Sequence, residues 1–320
     1  MNPSNVNVSF VVTTLNRLKT LRFSIASLRK QQGEFTSQII VVDGGSTDGT
    51  VEWLMSQKDI VTVVQHNHGL FNGAYVKRRS WGYFTNLGIK IAEGDYVCIV
   101  SDDSVLYSKC IERALAKITV IGASGPRVGG VAFYWRESGF ESRFKVGRTF
   151  GGVPFINHGL YYSRVLRDVG LFNESDYQFY FADGDIALRL YERGMHCIPA
   201  HGCFVEHFPR SNTSIRKVNR LTEKNDWKSY VHNWIERRPG TYDVDLQGWD
   251  FIDVTSLDDT VLSFPTNVES DYRGDDVVLK KNLSTYVSFV PLVSSLVGFL
   301  PSFLKSCFSR NANTSKKSRL

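Results

Sequence analysis

The chain has 320 residues, of which 42% are hydrophobic and 22% are charged, a composition that is typical of a folded globular protein and excludes general disorder. The formal net charge of +6 belongs to the C-terminal end, because seven basic residues and no acids follow Asp276, which leaves 31 basic and 32 acidic residues before that point. Since the body of the chain is close to neutral, we expect no nucleic-acid partner.

The cysteines and the N-terminus bear on location. Five cysteines are scattered without a C-x-x-C pair, which favours reduced thiols in a cytoplasmic setting over a disulfide framework or a zinc site. The first ten residues, MNPSNVNVSF, contain no charged stretch followed by an apolar one, so we expect no cleaved signal peptide. Together these features predict a cytoplasmic protein.

The first part of the chain predicts strands that alternate with helices. Apolar, β-branched runs at 8–12, 39–42 and 60–64 are typical of buried strands, and helical patterns follow the first two. YFTNLGIKIAEG then predicts a helix that leads into a fourth strand, DYVCIVSDD. This alternation predicts an α/β domain whose mainly parallel central sheet is covered by helices on both faces.

The second part of the chain predicts fewer regular elements. Glycine pairs and aromatic residues in the middle segment favour twisted strands and loops. ADGDIALRLYERG predicts a helix, HCIPAHGCFVEHF a last strand that ends at His207, and RLTEKNDWKSYVHNWIERR a closing helix. We therefore expect the α/β domain to occupy residues 6–240.

The C-terminal residues predict two further segments. Residues 241–276 hold ten acids and one base without a clear period, so 241–280 are expected to form a loosely structured acidic surface segment or linker. Residues 283–304 carry no charge and are flanked by basic residues. That length would just span a bilayer, at about 20 residues, but two prolines weaken a straight helix. We expect residues 281–320 to contact an anionic membrane surface; the alternative is that they pack back on the domain.

Carboxylates follow two of the predicted strands. Asp43 comes directly after the second strand, and the adjacent pair Asp102 and Asp103 comes directly after the fourth. Because ligands of open parallel sheets bind beyond the carboxyl ends of the strands, these side chains should meet in one crevice. Adjacent carboxylates repel each other unless a positive group lies beside them. A divalent cation that bridges to phosphates would be such a group, since it needs few protein oxygens.

Four segments carry a resemblance to a known family. VSFVVTTLNR, IIVVDGGSTDGT, NLGIKIAEGDYVCIVSDDSVL and GLFNESDYQFYFADGDIALRLYERG are similar, in order and spacing, to the family 2 glycosyltransferases, which are inverting enzymes with the GT-A fold. The resemblance covers about residues 6–210. It implies a GT-A α/β/α sandwich, to which a C-terminal helical or membrane-associating extension is added here. It also implies a nucleotide-diphosphate sugar donor, a divalent cation (Mn²⁺ or Mg²⁺), and a hydroxyl acceptor on a glycan, a lipid-linked sugar or a polysaccharide precursor.

The resemblance also implies nucleotide-binding residues. Asp43 looks like the acid that contacts the nucleotide base, and Thr13 and Arg17 resemble residues that line the same pocket. Asp102 looks like the ribose contact. Arg79, in a run of three basic residues, is a candidate to clamp the diphosphate, although a solvated charge run is the commoner outcome.

The implied metal ligands are Asp103 and His207. The residues SDD at 101–103 are similar to the family's D-x-D motif, with Asp103 as the metal ligand and Ser101 where the first acid often lies. This departure leaves the number of metal contacts open. His207, in FVEHF, resembles a histidine that completes metal binding in many members; the alternative is a surface histidine at a strand end.

The implied catalytic base is Asp183, in FADGD, where Ala182 replaces the Glu that many members carry. An acceptor hydroxyl is a poor nucleophile, so a carboxylate must take its proton as it attacks. Alternatively, Asp183 could cap the following helix, but Asp185, one turn before Arg189, fits that structural role better.

Two other functions stay open at this point. The departures at Ser101 and Ala182 are consistent with a non-catalytic module that binds a nucleotide or a glycan. A sugar nucleotidyltransferase would share the nucleotide-binding logic. A nicotinamide-dependent oxidoreductase is disfavoured because no G-x-G-x-x-G follows the first strand.

Overall fold

The structure is a computed structural model. It describes residues 7–67, 69–122, 127–208 and 213–253. The apolar segment predicted to contact a membrane, at 283–304, lies outside the described residues.

Strands and helices alternate through the first part of the chain, as predicted. The strands are β1 (Asn7–Thr14), β2 (Thr36–Asp43), β3 (Ile60–Val64), β4 (Gly69–Phe71), β5 (Ala74–Val76), β6 (Tyr96–Ser101), β7 (Ser104–Leu106), β8 (Arg127–Glu137), β9 (Arg143–Arg148), β10 (Gly159–Tyr162), β11 (Met195–His207) and β12 (Gly248–Asp253). The helices are α1 (Leu18–Arg29), α2 (Thr50–Ser56), α3 (Trp81–Ile91), α4 (Cys110–Gly122), α5 (Ser163–Asp168), α6 (Ala182–Glu192) and α7 (Thr213–Val231), which continues into a π-helical turn at His232–Glu236.

One large sheet organises the domain. Its strand order is β12-β9-β8-β10-β6-β1-β2-β3, and β11 pairs with both β8 and β7. Strands β6, β1, β2 and β3 are parallel, and antiparallel pairings extend the sheet beyond β6. In this register Thr14 lies opposite Asp43, and Thr13 lies opposite Ser101. The parallel strands that precede the predicted site residues therefore end at one edge.

Helices cover both faces of the parallel strands. Neighbouring residues of β1 point to opposite faces, so Val11 belongs to one buried cluster, and Phe10 and Val12 belong to the other. Helix α3 packs on the first face, and α1 packs on the second. At Gly88 in α3 an added Cβ would lie 2.5 Å from Cγ1 of Val11, so this close contact between helix and strand requires glycine. The α/β prediction with helices on both faces is confirmed.

The structure differs from the expectation for the acidic segment at 241–280. Residues Gly248–Asp253 form β12, which pairs antiparallel with β9 at the edge of the large sheet. The acid Asp250 is paired with Arg148, with 2.8 Å between Oδ1 and Nε. The prediction of a loosely structured segment is therefore wrong for β12, because β9 supplies both backbone partners and basic side chains. In the described part of the chain, no helix combines the length and the apolarity that crossing a bilayer requires.

Candidate functional site

The two adjacent carboxylates at the end of β6 are buried together with an arginine. Asp102 is 5% exposed and Asp103 is 3% exposed. Nη1 of Arg17, in the turn after β1, donates to Oδ1 of Asp102 at 3.1 Å and to Oδ2 of Asp103. The hydroxyl of Thr14 donates to the other oxygen of Asp102 at 2.8 Å. In this structure the positive group beside the two acids is the guanidinium of Arg17.

The two carboxylates titrate differently. Burial raises the pKa of Asp102 to about 6, although the charge of Arg17 opposes this shift. Burial also acts against the charged form of Asp103, but the nearby His207 and Arg17 outweigh it and hold the pKa of Asp103 below its usual range. Asp103 is therefore the permanently ionised member of the pair at neutral pH.

His207 lies across from Asp103. Strand β11 brings it there, because His207 is paired with Ser104 in β7 and the amide of Phe208 donates to the carbonyl of Asp103 at 2.7 Å. Nε2 of His207 is 3.2 Å from Oδ1 of Asp103. Among the described residues, that buried carboxylate oxygen makes no hydrogen bond besides this contact with His207. The fold thus brings together Asp103 and His207, the two predicted metal ligands, although they are 104 positions apart in sequence.

The donor set suits a divalent cation such as Mn²⁺, for which carboxylate oxygen and imidazole nitrogen are ordinary ligands. The buried oxygen of Asp103 that contacts His207 is the observation that supports this fit. Within the described ranges, no group of three or more His, Cys, Asp or Glu side chains is arranged to hold a metal. Asp103 and His207 therefore provide two protein ligands at most from that set.

Asp43 lies at the same edge of the sheet, but its side chain stabilises the turn that follows β2. Its carboxylate accepts hydrogen bonds from the amides of Gly45, at 2.8 Å, and Ser46, at 2.7 Å, and from the Ser46 hydroxyl at 2.6 Å. Gly45 has a φ of +88°, which favours glycine. The structure therefore gives Asp43 a role in shaping the turn after β2, and its contact with a nucleotide base stays a prediction.

Thr13 and Arg79 lie outside the cluster of acids around Arg17. Thr13 is half-buried in β1, and its neighbour Thr14, on the opposite side of the strand, is the residue whose hydroxyl reaches Asp102. Arg79 is exposed, with its guanidinium carbon 4.3 Å from the ring centroid of Tyr83. Their nucleotide contacts stay predictions.

Asp183 is the second residue of α6. The residue that caps this helix is Phe181, so Asp183 is not the cap. Its Oδ1 accepts from the amide of Gly184 at 2.9 Å, and its Oδ2 accepts from Nδ2 of Asn157. Burial raises the pKa of Asp183 to about 6, although these hydrogen bonds oppose the shift. A carboxyl with such a pKa is suited to exchange protons near neutral pH.

Asp185 is not the cap that the sequence favoured, since Phe181 caps α6, but its predicted pairing with Arg189 is confirmed. Its Oδ2 accepts from Nε of Arg189 at 2.8 Å, and its Oδ1 accepts from Nε1 of Trp234 at 3.0 Å. Arg189 also donates to the carbonyls of Val169 and Leu171. Asp185 therefore fastens α6 to its neighbours, which leaves Asp183 as the acid of this motif that faces the candidate site.

Three polar residues of the site were missed by the sequence reasoning: Thr14, Asn157 and His158. Asn157 links Asp183 to Nε1 of Trp135, whose distance to Oδ1 of Asn157 is 3.1 Å. His158 is 4% exposed, and its ring centroid is 5.7 Å from that of His207. Burial lowers the pKa of His158 to about 3, so it is neutral. For Asn157 and His158, the only signal in the sequence was that two polar residues directly precede a buried strand.

The tryptophan at 135 connects the two halves of the site. Its ring meets that of His207 edge-on, with 5.5 Å between centroids, and its indole N–H binds Asn157, which binds Asp183. The predicted metal ligands and the predicted base are therefore joined by a continuous chain of contacts. Group transfer uses a cation site and a base, and the residues predicted for both belong to one connected set of side chains.

Residues 9–164 match the model of the family described as Glycosyl transferase family 2. The chain carries a family 2 glycosyl transferase domain. The match includes Arg17, Asp102 and Asp103, whereas Asp183 and His207 follow it in sequence. The family that the motifs indicated is confirmed.

Curated relatives of the glycosyl transferase domain include two chondroitin synthases. That of Escherichia coli is 29% identical over 127 residues, which are 38% of this chain and 17% of that protein. That of Pasteurella multocida (strain Pm70) is 27% identical over 103 residues, 31% of this chain and 10% of that protein. The matches thus span less than a fifth of either relative.

Solved structures resemble the domain in fold. A mannosyltransferase from Pyrobaculum calidifontis, in complex with GDP-Man and Mn²⁺, has a TM-score of 0.50 at 18% identity and covers 73% of this chain and 65% of its own. TarS 1-349 of S. aureus in complex with UDP-GlcNAc has a TM-score of 0.46 at 18% identity and covers 62% of this chain and 58% of its own. The predicted GT-A fold is confirmed.

Proposed function

We propose that this protein transfers a sugar from a nucleotide-diphosphate donor to a hydroxyl group, with inversion at the anomeric carbon and with a divalent cation. The observation that carries the proposal is the continuous path from Asp103 and His207 through Trp135 and Asn157 to Asp183, in a chain with a family 2 glycosyl transferase domain. Support comes from the similarity to chondroitin synthases and to a mannosyltransferase solved with GDP-Man and Mn²⁺.

Asp183 acts as the general base in this proposal. Its carboxylate takes the proton of the acceptor hydroxyl, and the oxygen forms a new bond to the anomeric carbon. The bond from that carbon to the diphosphate oxygen breaks, and its electron pair leaves with the nucleoside diphosphate. A single displacement from the face opposite to the leaving group inverts the anomeric centre. Such a base contributes about 10²–10⁴-fold to the rate.

Asp103 and His207 would hold the cation. When bound, it stabilises the negative charge that develops on the leaving diphosphate. In the described part of the chain, Oδ1 of Asp103 makes no hydrogen bond other than its contact with Nε2 of His207, so a cation bound between the two would replace that one contact. Because Ser101 replaces the first acid of the D-x-D motif, the phosphates of the donor would complete the coordination.

The nucleotide would bind along the ends of the parallel strands. Arg17 and Asp102 lie next to the metal ligand Asp103, which supports their assignment to the nucleotide pocket. The further nucleotide contacts that we propose are Thr13, Asp43 and Arg79. The acceptor is a glycan, a lipid-linked sugar or a polysaccharide precursor, and the protein works in the cytoplasm, peripherally at the inner face of a membrane.

The test uses the full chain with UDP-GlcNAc, GDP-mannose and other nucleotide sugars in the presence of Mn²⁺. We expect release of the nucleoside diphosphate, loss of this release with EDTA, and loss in Asp103→Asn. The matched control, Asp168→Asn, removes an exposed carboxylate at the end of α5 and should keep full activity. Full activity of Asp103→Asn would refute the metal role, and NMR of the product's anomeric proton tests inversion.

The same assay separates the two other functions. A non-catalytic binding module would bind UDP or GDP in calorimetry without turnover, whereas turnover that disappears in Asp183→Asn excludes it. A nucleotidyltransferase would release pyrophosphate from a nucleoside triphosphate and a sugar phosphate. We expect turnover from the diphosphate sugar and no pyrophosphate.

A further inference from the structure

Asn157 occupies a fixed position between the proposed base and a tryptophan. It lies in the segment that precedes β10, and its side chain makes two hydrogen bonds: Oδ1 accepts from Nε1 of Trp135 at 3.1 Å, and Nδ2 donates to Oδ2 of Asp183. Because an indole N–H can only donate, the amide oxygen must face Trp135. The amide nitrogen is therefore turned towards Asp183, and the orientation of the amide follows from chemistry.

We propose that Asn157 is a positioning residue that keeps the Asp183 carboxylate ionised and in a fixed orientation, and that Trp135 holds the amide of Asn157 in the orientation this requires. The inference rests on the proposed function, in which Asp183 is the base. A hydrogen bond donated to a carboxylate favours its charged form. Only the charged form accepts a proton from the acceptor hydroxyl.

The surroundings of Asp183 make this hydrogen bond important. Burial disfavours the carboxylate, and within the described residues its hydrogen-bond donors are the backbone amides of Gly184 and of Asp183 itself and the side chain of Asn157. The phenols of Tyr161 and Tyr230 also face Asp183, and burial raises the pKa of each well above the usual value, so both are neutral. In the described part of the chain no cation forms an ion pair with Asp183, so its charge is supported by two backbone amides and, among described side chains, by the donor of Asn157.

Three variants separate this role from general packing. Asn157→Ala removes the donor, and Asn157→Asp replaces it with a second carboxylate of the same shape. Trp135→Phe keeps a ring against His207 but removes the indole N–H, so the amide of Asn157 is no longer fixed in its orientation. The matched controls are Asn225→Ala, at an exposed position of α7, and Trp53→Phe, in a partly buried tryptophan of α2.

The readout is the dependence of kcat/KM on pH, measured by release of nucleoside diphosphate with Mn²⁺. For a general base, kcat/KM falls as the pH drops below the pKa of the base, which is about 6 for Asp183. In Asn157→Ala we expect the acid limb to shift to higher pH by about one pH unit. This shift corresponds to a kcat/KM about tenfold lower on the acidic side of the profile. The shift should be larger in Asn157→Asp, because two carboxylates repel, and smaller in Trp135→Phe. The controls should keep the wild-type profile.

An acid limb that stays in place in the three variants, with the same loss of rate at every pH, would overturn the inference and leave Asn157 a packing role. Thermal unfolding of each variant shows that it is folded. If the wild-type chain releases no diphosphate from any donor, the proposed function fails instead. In that case NMR titration of ¹³C-labelled aspartate still tests the role of Asn157, because it compares the pKa of Asp183 in wild type and Asn157→Ala without turnover. Equal values in the two proteins contradict the inference.

Discussion

Arg17 shows how one residue makes two adjacent buried acids tolerable. The sequence placed Arg17 in a nucleotide pocket and assigned a divalent cation to the acids, whereas the structure brings its guanidinium into contact with both Asp102 and Asp103. The cation that we propose would lie on the other side of Asp103, towards His207. Two positive groups on either side of one carboxylate are compatible, because the two oxygens of Asp103 face different partners.

Replacement of Arg17 by glutamine should destabilise the fold by about 3–5 kcal/mol, because it leaves two buried carboxylates without their partner. The loss should be greatest at alkaline pH. Without the guanidinium the pKa of both acids rises in the folded state, so stability is lost as the pH increases through those values. Urea denaturation at several pH values measures the effect. Arg22→Gln, at an exposed position of α1, which begins just after Arg17, is the control, and an equal loss in both variants would show that the buried pair is unimportant.

Asp183→Asn should lower the rate of transfer by about 10²–10⁴-fold and at the same time stabilise the fold by up to about 2 kcal/mol. The folded-state pKa of Asp183, about 6, lies above the unfolded value of 3.8. Stability from this group is therefore present below pH 3.8 and is lost as the pH rises to about 6. Asparagine avoids that loss, and its single amide oxygen still accepts the hydrogen bond from Asn157, whereas the bond from the amide of Gly184 is lost.

Chemical denaturation of Asp183→Asn at acidic and at neutral pH tests this expectation. The stability of the variant and of the wild type should converge below pH 3.8, separate as the pH rises to about 6, and differ by a constant amount above that. A constant difference across the pH range would mean that the carboxyl is not titrating in the folded protein. Retained activity would remove Asp183 from the role of base.

At the scale of elements, β12 is the strand that the sequence did not predict. Its residues, GWDFID, lie in a segment dominated by acids, and acids usually indicate a solvated surface. In the fold, Asp250 is paired with Arg148, and the guanidinium of Arg143 lies 4.1 Å from the ring centroid of Phe251. These partners come from β9, about 100 residues earlier, so no local pattern could reveal them.

Trp249→Ala should destabilise the attachment of β12 by about 1–2 kcal/mol, more than Phe251→Ala does. Both side chains are about equally exposed, at 41% and 44%. Trp249 packs edge-on against Trp135, with 5.8 Å between ring centroids, and lies 4.8 Å from Nζ of Lys145. Phe251 has the cation–π contact with Arg143, worth about 0.5–1 kcal/mol at an exposed site.

Urea denaturation of the two variants supplies the comparison. Equal losses would mean that exposure alone sets the cost and that the contact between the two tryptophans contributes nothing. A change in the denaturant dependence without a change in midpoint would instead indicate that β12 separates from the sheet before the domain unfolds.

The strands that build the site could be predicted, whereas the chain of side chains that joins its halves could not. The strand that ends at Asp43 and the strand just before Asp102 are recognisable as apolar runs, and parallel pairing aligns their ends. The link from Trp135 through Asn157 to Asp183 depends on three segments that meet only in the folded sheet. Such contacts have no periodicity or spacing in the sequence.

At the scale of the whole molecule, charge is distributed unevenly along the chain. The first 276 residues are nearly neutral, and the seven basic residues that follow Asp276 account for the net charge of +6. Four of these flank the uncharged stretch at 283–304: Lys280, Lys281, Lys305 and Arg310. Basic residues near an apolar stretch are attracted to anionic lipid, at about 1 kcal/mol each.

We therefore expect the full chain to sediment with vesicles of anionic phosphatidylglycerol and not with vesicles of neutral phosphatidylcholine. Replacement of the four flanking basic residues by glutamine should release the protein, because up to about 4 kcal/mol of attraction is lost. Added salt should have the same effect on the wild type. Vesicle sedimentation at low and high salt measures both.

A matched variant separates the flanks of this stretch from the net charge. Four exposed lysines of the domain can be replaced by glutamine instead: Lys58, Lys90, Lys224 and Lys228. The net charge then falls equally in both variants, and only the position of the lost charges differs. If the two variants bind vesicles equally, attraction is a property of overall charge. If only the first variant is released, the basic residues that flank 283–304 are what hold the protein on anionic vesicles.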